Sequence, residues 1–487
     1  MQWYRSRFHC HGCRVSLKNV NPSASRPLSK GPLALPYQRP APHCRTFSSR
    51  VVEDTIGNVT NRMVDKDLAR IFENAFPNTL DTTVRWHVEG TEKHKHYENG
   101  AWEGAQSFIV TGDINAEWLR DSTNQLAQYQ ALAKKDKKLQ SLILGAINTQ
   151  AEYVIESPYC NAFQPPPPSG EAAVGNGQDD VVHPAYESSR VFECKYELDS
   201  LAHFLALGNQ FSRHTGSKAF LNRRWYMALD TVLEVLTEQA KPTFDPTSGR
   251  FEKNEYQFRR MTSRGTETLA LSGIGNPLGA GTGLIRSAFR PSDDSTILGF
   301  FIPANAMMAV ELKRTAEILK SVKKDSLAET LQKRADEIEK GIWEHGVVSN
   351  KKYGEVFAFE VDGYGSSILM DDANLPSLLA LPLLGFVERN NKVYQNTRKM
   401  ILERAGNPYA LEGKAFSGIG GPHVGLQHAW PMSRLVQAMT SDSEDEIKKV
   451  LEDVRDTSRL GLVHESVNVN RVTDYTRKSI PFVIDHS

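Results

Sequence analysis

The chain has 487 residues and balances 58 Lys+Arg against 58 Asp+Glu, with 40% hydrophobic and 24% charged residues. That suits a globular protein of one large domain or two to three ordinary ones, and no apolar run reaches the ~18 residues of a membrane-spanning helix. The neutral balance argues against a nucleic-acid partner. Five cysteines, three of them before residue 50, are too few for a disulfide scaffold or a structural zinc cluster.

The balance hides an asymmetry. Residues 1–50 carry nine Lys/Arg and no acid, which leaves 49 basic and 58 acidic residues in the remainder. The opening segment is rich in Arg, Ser and Pro, as in Pro36-Tyr37-Gln38-Arg39-Pro40-Ala41-Pro42. Such a composition cannot bury enough apolar surface to offset its ordering entropy. Residues 1–52 therefore read as a disordered basic leader. Its composition resembles a mitochondrial transit peptide, an ordinary disordered tail or a misassigned start being the plainer readings, and it holds no apolar stretch of a secretory signal. Cys10-His11-Gly12-Cys13 lacks a second ligand pair at zinc-site spacing and reads as incidental.

From residue 53 onward strand signals are sparse and helical periodicity is common. Helices are expected at 117–134 and 137–156. A long irregular stretch follows at 157–190, with Pro165–Pro168 and a Gly-rich part after Val174; loops of this length are uncommon unless functional or disordered. In 194–214, Leu198, Leu201, Leu205 and Gly208 fall on one face and Phe204, Leu207 and Phe211 on a second. A helix at 218–240 comes next. Residues 295–315 are apolar nearly all round, which predicts a buried helix, whereas 316–344 alternates charge and apolar positions and predicts a solvated one. Further helices are expected at 374–383, 391–404, 425–440 and 443–457, with Gly and Pro between them. Alternating buried and solvated helices without a short repeat suggest two concentric rings rather than a solenoid.

Carboxylates dominate the unusual positions. In Thr111–Ser122, Trp118 stands beside Arg120 and Asp121. An aromatic face and charged groups for hydroxyls suit a sugar site, and helix capping with a surface ion pair is the plainer reading. Arg290-Pro291-Ser292-Asp293-Asp294 is expected to open the helix at 295–315, with Ser292 or Asp293 as its cap. Adjacent carboxylates beside an apolar segment favour a raised pKa, and the helix dipole opposes it. Glu360-Val361-Asp362-Gly363 is followed by Met370-Asp371-Asp372-Ala373-Asn374, and His464-Glu465 lies in a loop near the end. There is no nucleophile elbow, no His-Glu-x-x-His and no Walker loop. Gly279–Gly283 and Gly418–Gly421 lack the strand–helix frame of a dinucleotide site. Paired carboxylates without a thiol nucleophile, a phosphate loop or a metal motif point to glycoside hydrolysis.

Eight ordered segments resemble glycoside hydrolase family 125: TGDINAEWLRDS (111–122), KYELDS (195–200), FRPSDD (289–294), IPAN (302–305), FEVDG (359–363), MDDANLPSLL (370–379), NPY (407–409) and HES (464–466). The resemblance implies an all-α fold, an (α/α)6 toroid of six helical hairpins filling residues 53–487, and an exo-acting, inverting α-1,6-mannosidase that needs neither metal nor cofactor. It implies Asp293 as general acid and Glu465 as general base. Trp118, Arg120, Asp121, Asp294, Asp371, Asp372 and His464 become sugar-contacting or site-organising residues. The implied partner is an α-1,6-linked manno-oligosaccharide or glycan. The family continues past its Tyr-Thr-Arg segment with a Trp-rich helix, whereas here Tyr475-Thr476-Arg477 runs into Lys478-Ser479-Ile480-Pro481 and the final residues. The last toroid helix is accordingly expected to be truncated. Glycan processing implies the secretory route, with which the sequon Asn58-Val59-Thr60 is compatible. Another toroid α-glycosidase, or a catalytically dead glycan-binding protein, stays open as an alternative.

Overall fold

Six helices start where a Ser, Asp or Asn caps them. In a computed structural model describing residues 27–90 and 100–476, the order is α1 (Arg50–Arg62), α2 (Lys66–Ala75), α3 (Leu119–Ala127), α4 (Gln130–Ala133), α5 (Lys137–Glu156), α6 (Leu198–Thr215), α7 (Arg223–Gln239), α8 (Ala270–Gly273), α9 (Ile302–Ser321), α10 (Asp325–Gly341), α11 (Leu381–Leu384), α12 (Lys392–Leu402), α13 (Pro431–Met439) and α14 (Glu444–Thr457). Ser49, Asp65, Asp136, Asn222, Asn391 and Ser443 each accept a first-turn backbone N–H, of α1, α2, α5, α7, α12 and α14.

Helices α3, α6, α9 and α13 are different. Each follows an extended residue (Trp118, Glu197, Phe301 and Trp430) whose side chain makes no cap. Helices α6 and α9 are buried on most of their surface, and α3, α6 and α9 pack on one another in succession. Pairs α1–α2, α5–α7, α9–α10 and α13–α14 also pack together. Helix α14 returns to α2, where Arg455 donates to Asp65 (2.6 Å) and Asn74 to the Gly461 carbonyl (2.8 Å). No helix among the described residues is long and apolar enough to cross a membrane.

Strands are more numerous than the expected all-α architecture allows. Among the described residues seventeen short ones are present, in two- and three-stranded antiparallel sheets. Most hold two to five residues, too few for an alternation visible in sequence. Two of the three-stranded sheets lead into site helices: Glu117–Trp118 with Ala162–Phe163 and Val191–Glu193, and Phe300–Phe301 with Glu360–Val361 and Ser367–Ile368. A third joins His428–Ala429, Val467–Asn468 and Arg471–Tyr475. These pairings also correct the helix limits. The apolar run at 295–315 is extended until Ile302, with Pro303 in the first helical turn. Asp293 is therefore not a helix cap. The solvated helix expected at 316–344 is α10, which starts at Asp325 after α9 ends at Ser321. The helix at 374–383 shrinks to the single turn of α11.

The leader is corrected too, for its second half. Residues 27–49 lie on the body, and α1 starts at Arg50, inside the expected tail. Leu35 is fully buried with Ile71, Val454 and Val463. Arg39 donates to Asp81 (2.7 and 3.1 Å) and to Glu53 (2.9 Å), and Arg45 to Glu53 (2.9 Å). The arginines that suggested a targeting peptide neutralise acids of the first helical pair. Composition could not reveal partners distant in sequence. Cys10 and Cys13, like the divergent ending at 477–487, lie outside the described residues.

The irregular stretch at 157–190 is tied at its base by a disulfide between Cys160 and Cys194. Its strand Val181–His183 pairs with Gln257–Arg259. Cross-linking a loop with a sequence separation of 34 residues constrains the unfolded chain by about 3–4 kcal/mol in the loop-entropy account. A Cys160→Ser/Cys194→Ser variant is expected to lose stability of that order in a urea titration.

Candidate active site

Loops that precede α3, α9, α11 and α13, together with the loop before the last sheet, converge on a cavity of about 570 Å³, its mouth included. From the α3 side come Thr111, Ile114, Trp118, Arg120 and Asp121; from the α9 side Pro291, Ser292 and Asp293; from the remaining loops Asn374, His423, Trp430 and Glu465. Two helix starts without side-chain caps, α3 at Trp118–Asp121 and α13 at Trp430, thus border a site of polar groups, and their dipoles favour negative charge there.

Asp293 sits in a tight loop that its neighbours force. Phe289 bridges Ser295, the Arg290 N–H donates to the Asp294 carbonyl (2.8 Å), and the Asp293 N–H to the Arg290 carbonyl (3.0 Å). Asp293 itself adopts φ = 70°, a left-handed conformation that costs a non-glycine residue of order 1–3 kcal/mol and persists where the surroundings impose it. The surroundings are clear. Buried Arg290 donates to Glu360 (2.6 Å), whose other oxygen accepts the Ile297 and Leu298 N–H groups (both 2.9 Å). The Ser295 N–H donates to the Thr266 carbonyl (2.7 Å). The Asp293 carboxylate, 31% exposed, lies 3.6 Å from the buried Lys195 ammonium.

Arg120 is buried among carboxylates. It donates to Glu197 (2.6 Å) and lies 3.5 Å from both Asp199 and Asp121. Glu197 also accepts from Ser200 (2.9 Å) and Asn161 (3.2 Å). Burial pushes the Glu197 carboxyl well above the carboxylate range, against the pull of Arg120. It pushes Asp199 up to about 6. The guanidinium expected to chelate hydroxyls is therefore largely engaged by protein acids. Beneath it, His203 donates Nδ1–H to the Asp199 carbonyl (2.7 Å), and burial lowers this imidazole to about 3, so that it is neutral.

Glu465 reaches the cavity from the loop before Val467–Asn468. Its carboxylate accepts from the Thr476 hydroxyl (2.9 Å), which in turn accepts the Ser466 N–H (3.2 Å). Neighbouring His464 does not line the cavity. It stacks on Tyr475 (ring centroids 3.7 Å apart), and burial lowers it to about 4.

Asp294 and Asp372 form a buried acidic pair behind the cavity wall. Burial and the Asp372 charge raise Asp294 to about 6, while His423, Thr266 and Arg290 act in the opposite sense. Asp372 accepts from the Asn374 N–H (3.1 Å) and side-chain amide (2.9 Å), which orients that cavity residue. Asp371 points elsewhere. Its oxygens accept the Leu378 and Leu379 N–H groups (both 2.9 Å), and burial raises it to about 8. The structure thus brings Trp118, Arg120, Asp121, Asp293 and Glu465 to one cavity, sets Asp294 and Asp372 behind it, and gives Asp371 and His464 supporting positions.

Sequence reading missed Trp430, His423 and Asn374 as lining residues and Lys195, Glu197 and Glu360 as supports. The last three lie in quoted motifs, and Asn374 follows Asp371-Asp372. His423 lay in a loop with no periodic signal, and Trp430 fell inside the helix expected at 425–440, which starts only at Pro431. Among the described residues, no group of three or more His, Cys, Asp or Glu is arranged to hold a metal ion.

Comparison with known proteins gives a consistent set of relatives. The family model of metal-independent alpha-mannosidases, GH125, matches residues 65–482. The meiotically up-regulated gene 157 protein of Schizosaccharomyces pombe is 54% identical over 448 residues, 92% of this chain and 86% of that protein. A metal-independent alpha mannosidase of Streptococcus pneumoniae was solved in a non-productive complex with alpha-1,6-mannobiose and discussed in the context of N-linked glycan processing. It is similar with a TM-score of 0.78 at 32% identity, over 89% of this chain and 95% of that one.

The raised Asp294 has a pH signature. Its folded pKa of about 6 exceeds the ordinary aspartate value of 3.8. The folded state therefore binds the proton more tightly, and the group's contribution is most favourable at low pH. It falls as pH rises from about 4 to 6, by up to roughly 3 kcal/mol, and is constant above. The stability difference between wild type and Asp294→Asn is expected to trace that curve in denaturant titrations; a flat difference would place Asp294 in a solvated setting.

Proposed function

Because this chain belongs to the GH125 family of metal-independent α-mannosidases and is a glycoside hydrolase, we propose that it removes non-reducing terminal mannose from α-1,6-linked mannosides with inversion, on an (α/α)6 toroid scaffold. The carrying observation is the cavity that Asp293 and Glu465 share with two tryptophans, Trp118 and Trp430. The disaccharide bound by the S. pneumoniae relative supports the linkage.

In this reading an indole face receives the apolar side of the terminal pyranose. Asp121, His423 and Asn374 meet its hydroxyls. Asp293, protonated, gives its proton to the glycosidic oxygen as the bond to the anomeric carbon breaks and its electron pair passes to that oxygen. Glu465, ionised and held by Thr476, accepts a proton from the water that attacks the anomeric carbon from the opposite face. The sugar leaves as β-mannose, and Asp293 is left as a carboxylate until it is reprotonated.

Proton NMR of α-1,6-mannobiose with the full chain is expected to show β-mannose first; α-mannose first would overturn inversion. Asp293→Asn is expected to lose 10²–10⁴-fold on mannobiose and to keep turnover of α-mannosyl fluoride, whose leaving group needs no proton. Glu465→Gln is expected to lose both. Equal loss of both substrates in Asp293→Asn would remove that residue as the acid.

A further inference from the structure

Behind Asp293 stands a row of charges of alternating sign. Lys195, buried in the segment entering α6, places its ammonium 3.6 Å from Asp293 and 3.3 Å from Glu193. Glu193 accepts from Arg260 (3.1 Å). Arg260 makes a two-pronged contact to Asp180, at 2.6 and 2.8 Å. The fold builds this row deliberately. Val181–His183 pairs with Gln257–Arg259, with Val181 opposite Arg259, so Asp180 and Arg260 leave that sheet side by side. Glu193 and Lys195 flank Cys194, whose disulfide to Cys160 fixes their backbone. The Lys195 N–H donates to Asn161 (3.0 Å), the residue after Cys160. The row thus runs from the long loop to the proposed proton donor.

We propose that Lys195 is a positioning residue for Asp293, and that Glu193, held by Arg260 and Asp180, sets how much of the Lys195 charge Asp293 feels. The proposal rests on Asp293 acting as the acid. Proton donation converts Asp293 into a carboxylate, and a cation at 3.6 Å stabilises that form as it develops. An isolated ammonium there would also strip Asp293 of its proton before the reaction. Glu193 shares the ammonium and limits this. Burial disfavours the Lys195 charge, yet Asp293 and Glu193 together hold it above its ordinary value. Arg120 and Glu197 also act on Asp293; Asp121, His423 and Glu465 share its cavity. Arg260 and Glu197 act on Lys195 in addition. None of these is altered by the two test substitutions.

The test is the pH dependence of kcat/KM on α-1,6-mannobiose for the full chain. The limb that falls at high pH reports loss of the acid's proton. Lys195→Met removes the cation and is expected to move this limb up by about one pH unit, with a lower plateau. Glu193→Gln frees the ammonium for Asp293 and is expected to move the same limb down. Lys195→Arg restores a cation and is expected to return it toward wild type. Shifts of opposite sign are not produced by a merely structural fault. Shifts of the same sign, or an unmoved limb in folded Lys195→Met and Glu193→Gln proteins, would overturn the proposal. The mannosyl fluoride comparison with Asp293→Asn separates such a failure from a wrong choice of acid: fluoride turnover retained with no opposite shifts would sink this inference and leave the acid standing.

Discussion

The buried pair between Arg290 and Glu360 is the constraint on which the site depends. Two charges taken out of water repay their desolvation only when their remaining donors and acceptors are also satisfied. Here Glu360 takes the guanidinium on one oxygen and two backbone N–H groups on the other. That arrangement ties the strand Glu360–Val361 to the segment entering α9 and leaves residues 290–294 to close within a few bonds. The left-handed Asp293 is the result. A free loop would relax it. A loop fixed at Arg290, Ser295 and Leu298 does not, and the carboxylate is delivered to the cavity.

The same logic governs the rest of the site. Acids crowd it, and burial raises several of them: Glu197, Asp199, Asp294 and Asp371. Arg120, Lys195 and Arg290 are the cations dispersed among them. Each meets at least one acid that is not the proposed proton donor. The electrostatics are therefore shared across several chain segments. Carboxyls near the boundary of ionisation are what hydrolysis by paired acids requires.

Much of this was legible beforehand, for identifiable reasons. Helix α5 matches its expected limits because Asp136 caps it and its apolar positions repeat through to Glu156. Trp118, Arg120, Asp121 and Asp293 stood in unusual clusters of carboxylates and aromatics, Glu465 was singled out by the family resemblance, and all five share the cavity. What escaped depends on contacts between distant segments. The strand pairs are too short to show alternation. Asp293 looked like a helix cap because residues 295–301 are mostly apolar, although they form no helix and end in the strand Phe300–Phe301, which pairs with Glu360–Val361. Arg39 looked like part of a targeting peptide because its partners Asp81 and Glu53 lie in the body. Cys160 and Cys194 gave no sign of pairing, since a count of five cysteines does not carry connectivity.

Glu465 and Asp293 are held in contrasting ways, and the contrast matches the roles proposed for them. Asp293 is fixed through its backbone, in a strained turn with charged groups about it. Glu465 accepts through its side chain from the Thr476 hydroxyl, just past the strand Arg471–Tyr475. A neutral hydroxyl donor orients a carboxylate. An acid must tolerate becoming an anion, and cations near it serve that end. A base must remain avid for a proton, and a hydroxyl costs it little. The Thr476 hydroxyl also accepts the Ser466 N–H, so the backbone of the loop and the orientation of its carboxylate are set by one atom of the neighbouring strand. The geometry of the base therefore rests on the pairing of Val467 with Tyr475, just as that of the acid rests on Glu360.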